Sequence, residues 1–399
     1  MHLTNILPEE ILLEIFSEID RKELIKMLEI SHEWRELLIK NVKVMRKLPL
    51  VLIRDTWQEK LLFVENYGKY VREIRFEDTE LESFEDVTKI LRLTPNVEKL
   101  SILRVKFPLT GENPEENLDE NGEQPQVEKI ILKKLLKVTI EDSENVGSLN
   151  FFATNCDAKL TSLKCDVNCE EQQKVLERVL SKSYQLKALE LTTKLDGIFD
   201  PADDTVEEFA SQLEQLLVTA PVMKFNEKFV KFLKSQSQLK EVGLNAGHVD
   251  FRLQRMMFTT FPSAQKLHLN IDALSTSDCL EQLRRIPPNK NIQSLTVLGA
   301  NRQLNVFEAV LKLSPKLQRL NIQNMTQFQS DKIRTLPLTH LKVDRVASEL
   351  LKHEEMTQSA IIDFGEIVPC SREIFERNLQ SFCDLNRHGD KNKDILEAF

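Results

Sequence analysis

Residues 264–269 read AQKLHL, 292–297 read IQSLTV, 317–322 read LQRLNI and 338–343 read LTHLKV. Each hexapeptide is apolar at its first, fourth and sixth positions. Working outward, the same L-x-x-L-x-L template, with apolar substitutes, returns as VREIRF from Val71, VEKLSI from Val97, LTSLKC from Leu160, LKALEL from Leu186, LEQLLV from Leu213 and LKEVGL from Leu239. Consecutive starts from 160 lie 26, 27, 26, 25, 28, 25 and 21 residues apart, and 26 separates 71 from 97. Chance alternation in a leucine-rich chain does not keep a period, so the chain is built of repeats. Between 97 and 160 two frames compete, VEKIIL from Val127 and LLKVTI from Leu135.

The segments between these hexapeptides carry a helical period. Val306, Ala309, Val310 and Leu313 form one apolar stripe, and Phe84–Leu93, Glu170–Leu180 and Glu227–Leu233 read likewise. Several of these helices stop just before a proline, at Thr94-Pro95, Phe261-Pro262 and Ser314-Pro315, where the ring cannot continue a helix. Strand plus helix at this period is the signature of the leucine-rich repeat. The expected fold class is therefore α/β: a curved solenoid of about 11 repeats, with parallel strands concave and helices convex, over 71–345 after a helical linker at 46–70. One departure stands out. Eight residues after each start, where the repeat favours Asn or Cys, Asn168 fits, while Asp272, Met325 and Ala300 do not.

Composition narrows the function. Ten glycines in 399 residues leave no GxGxxG and no G-x-x-x-x-G-K-[ST], so nucleotide-cradling loops are missing, and Gly243 and Gly247 read as turn punctuation. A net charge of −9, from 63 acids and 54 bases, argues against nucleic acid as the partner, and an RNA-binding solenoid is a distant third reading. No apolar run reaches membrane-spanning length, so no membrane partner is expected. The opening MHLTNILPEEIL has no basic-then-apolar leader, and six cysteines are too few for a disulfide scaffold, so the expected compartment is cytoplasmic, nuclear or both. Cys165 and Cys169 lack a matching Cys/His pair, the histidines form no H-E-x-x-H, and no G-x-S-x-G occurs. No metal, cofactor or catalytic residue is expected, and the chain does not read as an enzyme.

Residues 1–45 do not follow the repeat. Pro8–Ile19 reads as a helix with Glu9 and Glu10 beside its positive N-terminal end. Asp20 and Glu23 stand at capping-box spacing for a second helix, and Ser31 is placed to cap a third that carries Trp34, Leu37 and Leu38. Three helices in some forty residues expose more apolar surface than one internal seam consumes, which implies a partner.

The run Leu7-Pro8-Glu9-Glu10-Ile11-Leu12, followed by Ile15-Phe16, Leu24, Ile30 and Trp34-Arg35, resembles the F-box. The family's V-C-[KR]-x-W-[KR] ending stands here as Ile30-Ser31-His32-Glu33-Trp34-Arg35, with Ser for Cys and His for the basic residue. An F-box ahead of leucine-rich repeats resembles the F-box/leucine-rich-repeat class. That resemblance implies a non-catalytic substrate receptor of an SCF-type cullin-RING ubiquitin ligase, with a Skp-type adaptor and a cullin scaffold as partners. The adaptor contact is expected to draw on Leu7, Pro8, Ile11, Leu12, Ile15, Phe16, Leu24, Leu28 and Trp34. The competing reading is a repeat scaffold without ubiquitin chemistry, its N-terminal helices merely capping the solenoid.

Three further expectations concern the repeats. Thr110–Gln126 (TGENPEENLDENGEQPQ) holds six acids and no base, which reads as a disordered insertion. Residues 346–399 read as a C-terminal cap and tail, with a possible strand in 360–368 and a helix over Glu373–Leu385. The third, fifth and seventh residues of each template copy should face away from the core. On that face Lys266, His268, Arg319, His340 and Lys342 form a basic set expected to contact a protein substrate carrying acidic or phosphorylated groups.

Overall fold

The computed structural model describes residues 7–20, 23–24, 26–27, 32–53, 57–80, 84–106, 130–141, 149, 156–157, 159–195, 212–224, 226–261, 263–271, 277–298, 304–323, 336–347 and 361–368. The chain divides into two compact units, Met1–Thr192 with Glu207–Ser211, and Thr193–Val206 with Gln212–Phe399.

In the first unit, helices Glu9–Glu18, His32–Lys40 and Val42–Met45 precede the sheet. Asp20 Oδ1 accepts from the Glu23 backbone N–H at 3.1 Å, the capping contact expected from the sequence. The strands are β1 (Pro49–Leu52), β2 (Glu73–Glu77), β3 (Lys99–Leu103), β4 (Ile130–Ile131), β5 (Lys137–Glu141), β6 (Cys156–Asp157), β7 (Ser162–Val167) and β8 (Ala188–Thr193). The main sheet runs β1-β2-β3-β5-β7-β8, and β4 pairs with β6 apart from it. The second unit orders β9 (Gln215–Met223), β10 (Glu241–Val249), β11 (Lys266–Asn270), β12 (Ser294–Leu298), β13 (Arg319–Gln323), β14 (His340–Ala347) and β15 (Ile361–Val368) in sequence, its described ladders all parallel. Fold class is as expected: mixed α/β leucine-rich repeats behind a helical N-terminal module.

Register follows the template. The third residues of successive copies pair directly, Glu73 with Lys99 and Lys137 in the first unit, and Glu241 with Lys266, Ser294, Arg319 and His340 in the second. Backbone bonding fixes this. The carbonyl at the second position accepts two N–H groups from the next repeat, as Gln265 O does from Gln293 at 2.8 Å and Ser294 at 2.9 Å. Template positions one, four and six are buried wherever the burial of those residues is described; Leu267, Leu295 and Leu317 are fully enclosed. A buried leucine contributes about 1.5–3 kcal/mol, so the repeated trio holds each repeat on its neighbours.

The structure settles or corrects several expectations. The Leu135 frame supplies β5 of the main sheet, whereas the Val127 frame supplies only the short β4. The linker at 46–70 is not wholly helical. It contains β1, paired in parallel with β2, and the helix Trp57–Tyr67. The register places Lys47 where the template wants its first apolar residue, which hid this strand from the pattern. Gly243 and Gly247 lie inside β10 rather than in a turn. Residues 361–368 do form a strand, against β14. Thr110–Gln126 and the helix expected over Glu373–Leu385 lie outside the described residues.

Past β2 and β3, Asp78 and Arg104 hold the same position in consecutive repeats, and both have positive φ, 48° and 52°. Arg104 bridges the two turns, its Nη2 donating to Asp78 Oδ2 at 2.8 Å. Among the described residues no helix is long and apolar enough to cross a membrane, and no cluster of His, Cys, Asp and Glu is arranged to hold a metal. Cys165 is fully buried, and burial pushes its thiol far above the ordinary range, so it is a core residue.

Candidate functional site

The helix Glu9–Glu18 is amphipathic, and its two faces have different neighbours. Leu12 and Phe16 are buried, at 4% and 1% exposure, in a small core with Leu24, Leu38, Val44 and Leu48. Leu7, Leu13, Ile19, Met27 and Leu37 pack partly against that core. On the adjoining face, about 100° around the axis, Ile11 and Ile15, one turn apart, are each 45% exposed. With Glu14, Glu18 and Ile19 they line a shallow open depression. A helix that has already buried one stripe and still presents paired isoleucines to solvent has surface left for a partner.

The module is anchored by polar contacts with distant residues. Asn41 donates through Nδ2 to the Leu13 carbonyl at 2.7 Å, while its Oδ1 accepts from Lys43 N at 2.9 Å to cap the helix Val42–Met45. Lys47 Nζ donates to the carbonyls of Ser17 at 2.6 Å and Ile19 at 3.0 Å. A cation there meets carbonyls that the end of the helix leaves open, and favours the negative end of its dipole.

These positions divide the residues expected to contact an adaptor. Pro8, Ile11 and Ile15 are exposed, and Leu7 is half-buried. Leu12, Phe16 and Leu24 are interior residues, which corrects their place in that surface: they shape it from beneath. Trp34 lies on the helix His32–Lys40 with its side chain outside the described residues, as is Leu28 entirely. Sequence reasoning named residues of both core and face without separating them, and left out Leu13, Met27, Val44 and Leu48; burial makes the separation.

The sheet of the second unit presents the other set. Lys266 and His268 do not stand open to a ligand. Glu241, on the neighbouring strand, takes both: Lys266 Nζ lies 3.2 Å from its Oε2, and His268 Nε2 lies 2.8 Å from its Oε1. These contacts, His268 first and then Lys266, hold the Glu241 carboxyl below its ordinary range. The basic set expected on this face leaves out Glu241 of β10, which pairs with two of its members. Arg319, His340 and Lys342 are exposed on β13 and β14. The pattern of exposed or half-buried third and fifth residues around buried fourth ones holds in β11, β12 and β13.

A helical module with a small core and an open isoleucine face, followed by parallel leucine-rich repeats, defines the class. Residues 5–43 match the F-box domain, so the chain carries an F-box ahead of its repeats. No curated protein matches the chain. Among solved structures, the crystal structure of the Rad7 and Elc1 complex in yeast is similar at 12% identity and a TM-score of 0.49, covering 89% of this chain and 92% of that one. The leucine-rich repeat-containing protein LegL7 from Legionella pneumophila is similar at 14% identity and a TM-score of 0.41, covering 74% and 93%.

Proposed function

We propose that this chain is the substrate-recognition subunit of an SCF-type E3 ubiquitin ligase. The F-box docks a Skp-type adaptor, which joins it to a cullin scaffold, and the repeats bind the protein to be ubiquitinated. The observation that carries the reading is the F-box domain at 5–43 with Ile11 and Ile15 exposed on one helix face. Burying that pair against an adaptor removes apolar surface that the chain itself does not cover. The receptor does no chemistry of its own; its part is to hold a substrate near the ubiquitin-loaded enzyme. Such a role belongs to the cytoplasm or nucleus.

The test is co-purification of the full chain from cells with a Skp-type adaptor and cullin, alongside Ile11→Glu with Ile15→Glu. Centrally placed anchors commonly cost about 2 kcal/mol or more when removed. The double variant should therefore lose adaptor capture more than tenfold while keeping the melting temperature of the parent. A parent chain that captures neither adaptor nor cullin would leave a plain repeat scaffold as the function.

A further inference from the structure

We infer that the lysine pair Lys99 and Lys137, with Lys133 and the exposed Leu136 beside it, docks an acidic protein segment that carries an apolar residue among its carboxylates. The inference rests on reading the repeats as a protein-binding surface; it places the contact in the first unit and names the chemistry of the occupant.

The register of β3 and β5 sets Lys99 directly opposite Lys137. Neighbouring strands are about 4.8 Å apart, so two ammonium-bearing side chains leave the sheet side by side. Among the described ladders this is the one direct pairing of two Lys or Arg residues. Both lysines are exposed, and neither has a hydrogen bond or ion pair among the described residues. The acids around them are committed elsewhere. Glu73, opposite Lys99 on β2, is buried and accepts from Arg75 Nε at 2.8 Å. Glu98, next to Lys99 in the chain, accepts from Arg72 Nη1 at 2.7 Å. Glu141, at the far end of β5, lies 2.9 Å from Lys164 Nζ. On its other side Lys137 stands in register with Ser162, which carries no charge.

Like charges held this close repel each other, and an anion between them relieves the repulsion. Elsewhere the protein supplies that anion itself, as Glu241 does for Lys266 and His268. The turn into β5 adds the second part of the site. It reads Lys133-Lys134-Leu135-Leu136-Lys137. Leu135 is core, whereas Leu136 is 44% exposed. Lys134 is tied to Asn96 Oδ1 at 2.8 Å, and Lys133 is exposed with no partner among the described residues. A leucine open to solvent among lysines is complemented by an apolar side chain among carboxylates: the charges pair, and the leucine loses its contact with water. Nucleic acid is the poorer match. The chain carries −9 overall, so its field repels a polyanion as long as a nucleic-acid strand.

The experiment uses the full chain with its adaptor and two labelled twelve-residue peptides, one of glutamates around a central leucine, the other with glutamines in place of the glutamates. The acidic peptide should bind about tenfold more tightly at low salt, with the gap narrowing as salt rises. Lys99→Ala and Lys137→Ala should each weaken the acidic peptide about threefold and leave the glutamine peptide unchanged. Lys316→Ala, in the second unit, should change neither. Lys137→Glu adds a readout that a structural role would not give: it supplies Lys99 with a partner, so the melting temperature should rise while acidic-peptide binding is lost. Equal binding of the two peptides, or undiminished binding by the Lys99/Lys137 double variant, overturns the inference. So does a twelve-nucleotide RNA that displaces the acidic peptide at lower concentration than the unlabelled peptide does. Binding that emerges only after the acids of 110–126 are changed to their amides also overturns it, since the chain would then fill the site itself. Adaptor capture, read on the same preparations, separates the outcomes: peptide selectivity without adaptor capture overturns the ligase reading alone.

Discussion

Lys47 donates its ammonium to the Ser17 carbonyl at 2.6 Å, joining the last turn of the first F-box helix to the residue that leads into β1. The β1–β2 register aligns Pro49 with Glu73, so Lys47 is the counterpart of Val71, a buried residue in the next repeat. The first repeat has exchanged an apolar anchor for a polar one directed at the F-box.

Lys47→Met should therefore weaken the join although it restores the apolar template. Hydrogen bonds to a charged group contribute about 1.5–3 kcal/mol each at most, and Lys47 is only half-buried, so a loss of about 1–2 kcal/mol is expected. Thermal or denaturant unfolding of the full chain measures it. An unchanged transition would show that packing alone fixes the F-box onto the sheet.

Phe16 and Ile15 are neighbours in sequence with opposite roles. Phe16→Ala opens a cavity in the module's core and should cost about 3–5 kcal/mol, seen as early unfolding of residues 7–48 in hydrogen exchange. Ile15→Ala, at a 45% exposed site, should cost less than about 1 kcal/mol while still weakening adaptor capture. Equal destabilisation by the two would place Ile15 in the core.

The strand frame was legible because the template repeats a buried trio, and every described copy from 71 to 338 became a strand two residues after its start. β1 was not legible, since Lys47 breaks the trio for a reason that lies in a different module. Gly243 and Gly247 were misread because glycine marks turns and close approaches alike, and sequence does not say which. The adaptor face was half legible: the period names the apolar residues of the helix Glu9–Glu18, but not which stripe its own module covers. The basic face was overcounted for a similar reason. Choosing cations from selected strands leaves out the neighbour that neutralises them, here Glu241.

Gly243 has a packing reason. A Cβ there would stand 2.7 Å from Leu217 Cδ2 and 2.9 Å from His268 Cβ, closer than carbon atoms tolerate. The space kept open is the one across which His268 reaches Glu241, two residues along the strand from Gly243. Gly243→Ala should cost about 1–3 kcal/mol by overpacking, and it should displace the His268 ring. Changed His268 imidazole resonances, together with a lowered melting temperature, would check both parts.

Glu241 gives that region a pH dependence whose direction follows from its partners. His268 first, and Lys266 after it, favour the charged carboxylate, so the folded-state pKa lies below the unfolded one. Such a group contributes stability that is fully present above the unfolded value, about 4.3, and is lost as pH falls through the folded value. The second unit should thus lose stability with acidification below about pH 4.3, in addition to the general acid effect. Glu241→Gln removes the titrating group while keeping its shape, so it should lower stability at neutral pH and flatten this part of the acid limb. The check is a pair of unfolding curves, parent and variant, between neutral pH and about pH 3. Parallel curves, with the same offset at every pH, would mean that Glu241 gains nothing from His268 and Lys266.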